Sequence, residues 1–73
     1  TALAEYPKAF ADFAKAIQLN PKYANAYYNR GIAYGELRQH TKAVSDYTRA
    51  IELDPKYTEA YYNRGVQYVH LRK

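Results

Sequence analysis

The segment PKYANAYYNRGIAY, residues 21–34, is followed at an offset of 34 residues by PKYTEAYYNRGVQY, residues 55–68. The similarity extends towards the N-terminus, because KAFADFAKAIQLNPKY at 8–23 matches KAVSDYTRAIELDPKY at 42–57 with the same offset. Chance similarity between two helical sequences would not keep Pro, Gly and Tyr in step over this length. The sequence therefore predicts a repeat protein, in which each unit buries its core against its neighbours.

Length and composition limit the classes of protein that this chain can represent. It has 73 residues, a net charge of +4, 10 Tyr and no Cys. One small domain is expected at this length, and the lack of Cys excludes disulfides, thiolate metal sites and thiol catalysis. No apolar run is long enough for a membrane span or a signal peptide, so we expect a cytoplasmic protein that does not enter membranes. Thr1 is not an initiator Met, which favours a natural fragment, a processed product or an engineered chain.

The local signals predict four helices and no strands. Residues with high helix propensity are dense, and no stretch alternates apolar and polar residues with a period of two. Pro7 fits the first position of a helix, where its missing N–H costs nothing. Pro21 and Pro55 end the helices that precede them, since the residue before a proline avoids the helical conformation. We expect helices over about 7–19, from 24 to about 38, from 40 or 41 to 53, and from 58 to near the C-terminus.

Gly31 predicts how two of these helices pack. A glycine in a helix interior costs about 1 kcal/mol relative to alanine. Gly31 lies on one stripe with the tyrosines four residues before it and three residues after it. The next helix carries Tyr47 between two small residues, Ala43 and Ala50, at helical spacing. We therefore expect an antiparallel hairpin in which the Tyr47 ring fills the space above Gly31.

These residues resemble the tetratricopeptide repeat family, whose period is 34 residues. The resemblance covers nearly the whole chain. The W-x2-L-G-x2-Y segment of the family corresponds to Tyr27, Arg30, Gly31 and Tyr34, with Tyr in place of Trp and Arg in place of Leu. Its later Ala, Phe, Ala and Pro positions correspond to Ala43, Tyr47, Ala50 and Pro55. The preceding repeat supplies Ala9, Phe13, Ala16 and Pro21, and the following one supplies Tyr61, Arg64, Gly65 and Tyr68.

The resemblance implies an all-α fold, an alpha-alpha superhelix (solenoid) of antiparallel helical hairpins. In this family each repeat consists of a helix A followed by a helix B, whereas this chain has the order B-A-B-A. We interpret residues 1–73 as a single domain. Its parts are 1–23, helix B of a partial repeat; 24–57, a complete repeat; and 58–73, helix A of a second partial repeat.

The unusual order leaves one half of a hairpin at each end of the domain. These halves are complementary, because together they make one hairpin. We therefore expect chains to associate end to end as a homo-oligomer, whether as an open filament or as a closed assembly. The residues expected in this contact are Ala9, Phe13 and Ala16 at one end, and Tyr61, Gly65 and Tyr68 at the other.

The resemblance also implies a concave groove, lined by helix A residues that point away from the hairpin partner. In this family the groove binds peptides or helices of partner proteins. The sequence is therefore interpreted as a protein–protein interaction scaffold and not an enzyme, and the alternative is a repeat fragment whose main partner is another copy of itself. The candidate groove residues are Asn25, Tyr28, Asn29, Ile32 and Glu36 in one repeat, and Glu59, Tyr62, Asn63, Val66 and His70 in the next.

Some members of the family hold a carboxylate at the C-terminus of a partner with Lys, Arg and Asn side chains. Asn29 and Asn63 stand at positions of such a clamp. Asn25 and Glu59 stand where its cations are required, and Glu59 would repel a carboxylate. The sequence therefore disfavours a carboxylate clamp.

The two arginines of the repeated motif are predicted to be structural. Their aliphatic stems would pack between repeats, and each guanidinium would bind an acidic side chain. Because the acids recur with the same period as the arginines, we expect Arg30 to pair with Asp12 or Asp46, and Arg64 to pair with Asp46.

Other chemistry finds no support in the sequence. His40 and His70 occupy different repeat positions without a carboxylate cluster around them, so no metal site is expected. The single Ser45 supports no catalytic triad, and without a glycine-rich phosphate loop no cofactor is expected. Nucleic acid is an unlikely partner, because the basic residues are interspersed with acidic ones.

Overall fold

The computed structural model describes residues 2–72, and the side chains of residues 5–72. Within that range the chain forms helices and turns without strands, as predicted for an all-α fold. Consecutive helices pack against each other, and the second also contacts the fourth. Thr1 and Lys73, which the predicted domain includes, lie outside the described residues. The helices are α1 (Ala2–Leu19), α2 (Ala24–Glu36), α3 (His40–Leu53) and α4 (Thr58–Leu71).

The hairpin of α2 and α3 is built around Gly31, as predicted. A Cβ atom placed on Gly31 would lie 2.8 Å from Cε1 of Tyr47. Tyr47 is 2% exposed, and Ala43 and Ala50 on either side of it are 0% exposed. The absence of a side chain at Gly31 therefore lets the tyrosine ring lie directly on the backbone of α2.

The core continues from this hairpin to α4. Ile51 of α3 and Ala60 of α4 are buried in the same cluster as Tyr47. Half-buried aromatic residues, among them Tyr28 and Tyr57, pack around it. None of the described helices is long and apolar enough to cross a membrane.

The two turns that lead into α2 and α4 have the same structure. The backbone N–H of Lys22 donates to Oδ1 of Asn20 at 3.2 Å, and that of Lys56 donates to Oδ1 of Asp54 at 3.2 Å. Such side-chain to backbone bonds let Asn and Asp begin a turn, and the proline between them suits it. Because the turns match, α2 and α4 start from equivalent positions in their repeats.

The turn from α2 to α3 ends α2 with a left-handed residue. Arg38 has φ of 64°. Its N–H donates to the carbonyl of Gly35, and the N–H of Gln39 donates to the carbonyl of Tyr34. This pair of bonds is the Schellman motif, in which glycine is the usual left-handed residue. The motif reverses the chain within three residues and sets the antiparallel hairpin.

The predicted start of α1 at Pro7 is wrong, since α1 begins at Ala2 and Pro7 lies inside it. A proline near a helix start removes a single backbone bond, and the Ala-Leu-Ala-Glu segment before it has high helix propensity. Tyr6 adds contacts to this extra turn, with its ring 6.3 Å from that of Phe10. The preference of proline for the first helical position is therefore outweighed here.

The predicted pairing of Arg30 is confirmed, and Asp46 is the partner. The Nε and Nη2 atoms of Arg30 donate to the two carboxylate oxygens of Asp46 at 2.7 and 2.8 Å. The predicted pairing of Arg64 with Asp46 is wrong, because Arg64 donates to Oγ1 of Thr48 at 3.1 Å. The bidentate pair with Arg30 already occupies both oxygens of Asp46.

Candidate functional site

The ten predicted groove residues lie on α2 and α4, which contact each other. The structure separates them by exposure to solvent. Three are half-buried: Tyr28, Ile32 and Asn63. Seven are exposed: Asn25, Asn29, Glu36, Glu59, Tyr62, Val66 and His70.

Tyr28 and Asn63 form a bridge between α2 and α4. Nδ2 of Asn63 donates to the hydroxyl of Tyr28 at 2.8 Å. The ring of Tyr28 packs against Tyr57 and Tyr47, with centroid distances of 4.8 and 5.7 Å. Tyr28 therefore links α2 to α3 and α4. The carbonyl oxygen and the second amide hydrogen of Asn63 remain available for other hydrogen bonds.

Asn25 is held in one orientation by Tyr57, the residue that precedes α4. The hydroxyl of Tyr57 donates to Oδ1 of Asn25 at 2.7 Å. Burial raises the pKa of Tyr57 above its ordinary value, so the hydroxyl stays protonated at neutral pH and keeps its role as donor. With its oxygen engaged, Asn25 offers its amide N–H groups to a ligand.

An open cleft lies between α2 and α4. Its volume is about 330 Å³. Burial, as the main cause, raises the pKa of the Tyr47 hydroxyl to about 12, so this hydroxyl keeps its proton well above neutral pH. The cleft is lined by Ile32, Gly35, Glu36, Tyr47, Asn63 and Gln67.

Gln67 is a residue of this cleft that the sequence analysis missed. It is 9% exposed, and a Cβ atom on Gly35 would lie 3.0 Å from its Nε2. One repeat earlier the same position is Ala33, which is buried at 6% exposure. The replacement of a small residue by a long polar one, at a buried position of the repeat, was the signal in the sequence.

Gln67 also connects the cleft to the two histidines. Its Oε1 lies 2.6 Å from Nδ1 of His40, and since an amide oxygen accepts, Nδ1 of His40 carries the proton. The rings of His40 and His70 are stacked, with centroids 4.7 Å apart and planes 6° apart. Two parallel rings do not direct their nitrogens at a common ion, and the described residues contain no cluster of three or more metal-ligating side chains.

Glu36, at the C-terminal end of α2, is held from α1. The hydroxyl of Tyr6 donates to Oε1 of Glu36. This hydrogen bond is the main reason that the pKa of Tyr6 is raised, since ionising Tyr6 would place two negative charges together. Tyr6 was not predicted to touch the groove, because its contact depends on the extra turn of α1.

The predicted groove residues are acidic, whereas the chain as a whole is basic. Glu36 and Glu59 are the two formally charged residues among the ten, while the whole chain has a net charge of +4. A negatively charged surface favours cationic groups and repels carboxylates and phosphates. The ten predicted residues therefore carry formal negative charge, opposite in sign to that of the whole chain.

The residues predicted for self-association lie at the two ends of the helix order. Ala9, Phe13 and Ala16 on α1 are half-buried. On α4, Tyr61 and Tyr68 are 46% and 49% exposed. A Cβ atom on Gly65 would meet no described residue within 4 Å.

The comparisons with known proteins agree with the repeat. A family model described as tetratricopeptide repeat matches residues 24–57, and a second model with the same description matches residues 46–73. A third model, described as TPR repeat, matches residues 1–38. No curated protein shows a significant match to the chain.

Proposed function

Because the chain belongs to the tetratricopeptide repeat family, whose repeats are generally protein–protein interaction modules without catalytic activity, we propose that it binds a partner through the face formed by α2 and α4. The proposed ligand is an extended peptide or a helix with an apolar side chain and at least one Lys or Arg. The observation that carries the proposal is Tyr62, a large aromatic side chain that is 73% exposed on this face.

Tyr62 and Val66 supply the apolar part of the proposed contact. They are four residues apart on α4, so they lie on one side of the helix, and both are exposed, at 73% and 37%. Tyrosine buries a large area at low entropic cost and keeps a polar tip in water, which explains its frequency at binding surfaces. An apolar side chain of the ligand would be covered by these two residues.

The polar part of the proposed contact comes from amides and carboxylates. Asn29 is exposed on α2, and the bound orientation of Asn25 directs its N–H groups away from Tyr57. Asparagine side chains bind a peptide backbone well, because each one offers both a donor and an acceptor. Glu36 and Glu59 favour a basic residue in the ligand by charge complementarity.

Tyr62 also allows a direct test of this proposal. We expect Tyr62→Ala to weaken the affinity for a selected peptide at least about tenfold, in the range of an aromatic anchor at an interface. The peptide would come from an array in which aromatic, aliphatic, basic and acidic residues are varied. Tyr61→Ala is the matched control, because Tyr61 is an exposed neighbour of the same type on another side of α4.

Two results would contradict the proposal. The first is an array that selects acidic peptides, and the second is an equal loss of affinity in the Tyr61 and Tyr62 variants. Far-ultraviolet circular dichroism would verify that both variants fold. Tyr28→Ala is unsuitable for this purpose, since Tyr28 packs on Tyr47 and Tyr57 and its loss would also destabilise the domain.

A second candidate function is self-association through the ends, and a specific observation favours it. Within the part of the chain that the structure describes, no atom lies within 4 Å of a Cβ placed on Gly65 of α4, whereas the equivalent face of α2 is covered by Tyr47. Exposed apolar faces of this kind are typical of interaction sites. We propose that a second copy of the chain covers it.

A further inference from the structure

We infer that two copies of this chain join head to tail through an ion pair between Arg64 of one copy and Asp12 of the next. This inference rests on the second candidate function above, and it adds the register and the polarity of the contact. The proposed partner is a second copy of the chain, because α1 has the same types of residue that α3 uses to pack against α2.

The internal hairpin supplies the template for the contact. Arg30 of α2 binds Asp46 of α3 with two hydrogen bonds of 2.7 and 2.8 Å. A shift of one repeat, 34 residues, converts Arg30 into Arg64 and relates Asp12 to Asp46. Arg64 and Asp12 of two chains therefore stand in the same relation as Arg30 and Asp46 within one chain.

Neither member of the proposed pair forms an ion pair with a described residue of its own chain. Arg64 donates to the neutral hydroxyl of Thr48 at 3.1 Å, and among the described residues it has no carboxylate partner. Asp12 is exposed, and no described residue forms an ion pair with it. In the proposed contact Arg64 and Asp12 would form the ion pair that neither residue forms within the described part of its own chain.

Arg64 is already held in the orientation that the pair requires. Its guanidinium carbon lies 5.5 Å from the ring centroid of Tyr61 and 5.9 Å from that of Tyr68. Arg30 has the same arrangement, 5.7 Å from Tyr27 and 6.0 Å from Tyr34. Because the arginine side chain is placed between two rings before binding, less conformational entropy is lost when a carboxylate arrives.

The space above Gly65 fits an aromatic ring from the second copy. A Cβ atom on Gly31 would meet the Tyr47 ring at 2.8 Å, but one on Gly65 would meet nothing within 4 Å. The α1 residue that corresponds to Tyr47 is Phe13, which is half-buried. In the proposed contact Phe13 lies over Gly65 as Tyr47 lies over Gly31.

Two weaker contacts of the hairpin also recur. Lys42 lies 5.6 Å from the ring centroid of Tyr34, and Arg49 lies 6.0 Å from that of Tyr27. Their counterparts on α1 are basic as well, Lys8 and Lys15. These lysines would lie over Tyr68 and Tyr61 of the other copy, where cations and aromatic faces attract each other.

This register overlaps the two chain ends at the junction. Residues 1–5 of one copy and residues 69–73 of the other both correspond to residues 35–39, the end of α2 and the turn that follows it. None of the contacts proposed above involves these residues, so one of the two segments can move aside without the loss of a proposed contact.

Charge reversal tests the register and the polarity together. In the wild type we expect the mass measured by sedimentation equilibrium to rise above 8.5 kDa with concentration, and to pass the dimer without a plateau there. Arg64→Asp or Asp12→Arg alone should weaken association at least about tenfold, since each places two like charges in contact. The Arg64→Asp/Asp12→Arg double variant, or an equimolar mixture of the single variants, should regain association.

The controls separate this inference from the proposal on which it rests. Glu59→Arg changes the net charge as Asp12→Arg does, but it lies outside the contact, and we expect association to be unchanged. If Arg64→Asp fails to fold by circular dichroism, the comparison of Asp12→Arg with Glu59→Arg decides the question. A wild type that stays monomeric at millimolar concentration overturns self-association as a whole. Association that stops at a dimer, ignores Asp12→Arg or is not restored by the double charge reversal overturns the head-to-tail ion pair alone.

Discussion

Gly31 and Gly65 end two copies of the same hexapeptide, AYYNRG, at 26–31 and 60–65. The Tyr47 ring fills the space where a side chain of Gly31 would be, whereas a side chain at Gly65 would meet none of residues 5–72 within 4 Å. Both copies form helices, so the helix itself follows from local sequence. Burial follows from what packs against each face of the helix. The Gly31 face of α2 is covered by Tyr47 of α3, whereas α4 contacts α3 through other residues and its Gly65 face meets no described residue. The glycine of the motif is therefore covered in one repeat and accessible in the other.

The largest difference in stability is expected between variants of Tyr47, which lies above Gly31, and of Phe13, its equivalent on α1. We expect Tyr47→Ala to lower the free energy of unfolding by about 3–5 kcal/mol, because it removes a large side chain from the centre of a small core. Phe13→Ala, at the equivalent position on the half-buried face of α1, should cost about 1 kcal/mol. Urea unfolding followed by circular dichroism measures both. Equal losses would show that the two ends of the repeat do not differ in packing.

The next largest difference in stability is expected between variants of the acidic residues Asp46 and Asp12. Asp46→Ala leaves the guanidinium of Arg30 half-buried without its carboxylate, and we expect a loss of about 2–4 kcal/mol in the free energy of unfolding. The side chains of Arg30 and Asp46 are 24% and 7% exposed, so water compensates little of this loss. Asp12→Ala should change stability by less than about 0.5 kcal/mol. A large effect of Asp12→Ala in dilute monomer would contradict the comparison.

Alkaline pH should weaken the packing of Tyr47 above Gly31. Burial raises the pKa of Tyr47 from 10.0 to about 12, so the folded state holds this proton more tightly than the unfolded chain does. The corresponding stability is complete below pH 10 and is lost as the pH rises towards 12. We expect Tyr47→Phe to remove part of this decline relative to the wild type, as measured by unfolding at several pH values. A decline that is unchanged in Tyr47→Phe would argue against a buried Tyr47 hydroxyl.

The sequence predicts the helices and their packing well, because the same pattern of residues occurs twice in the chain. Gly31, with Tyr47 opposite it, correctly predicted the α2–α3 hairpin. The arginine at position 30 correctly predicted an ion pair with an acidic side chain. The start of α1 was missed, since Pro7 is tolerated one turn inside the helix. The prediction for Arg64 was wrong, because the repeat period shows only which positions are equivalent. It does not show that Asp46 is already bound by Arg30.

The candidate site is less predictable than the fold. Helical geometry places the ten groove residues on α2 and α4, but it does not show that Asn63 binds Tyr28 or that Tyr57 binds Asn25. Tyr6 contacts Glu36, and Gln67 lines the cleft beside Asn63, through contacts between residues that are distant in sequence. Such contacts depend on side-chain length and on the docking of α1, neither of which a repeat pattern specifies.

The most direct test of the comparison between the two glycines replaces each with alanine and measures unfolding in dilute solution. Gly31→Ala forces a methyl group against the Tyr47 ring, and this overpacking should outweigh the gain in helix propensity, with a net loss of about 1 kcal/mol. Gly65→Ala meets no neighbouring atom, so the helix propensity alone should act, with a gain of about 0.5–1 kcal/mol. Opposite signs in the two variants are the result that we expect. A change of the same sign in both would contradict the conclusion that one copy of the motif is covered and the other is open.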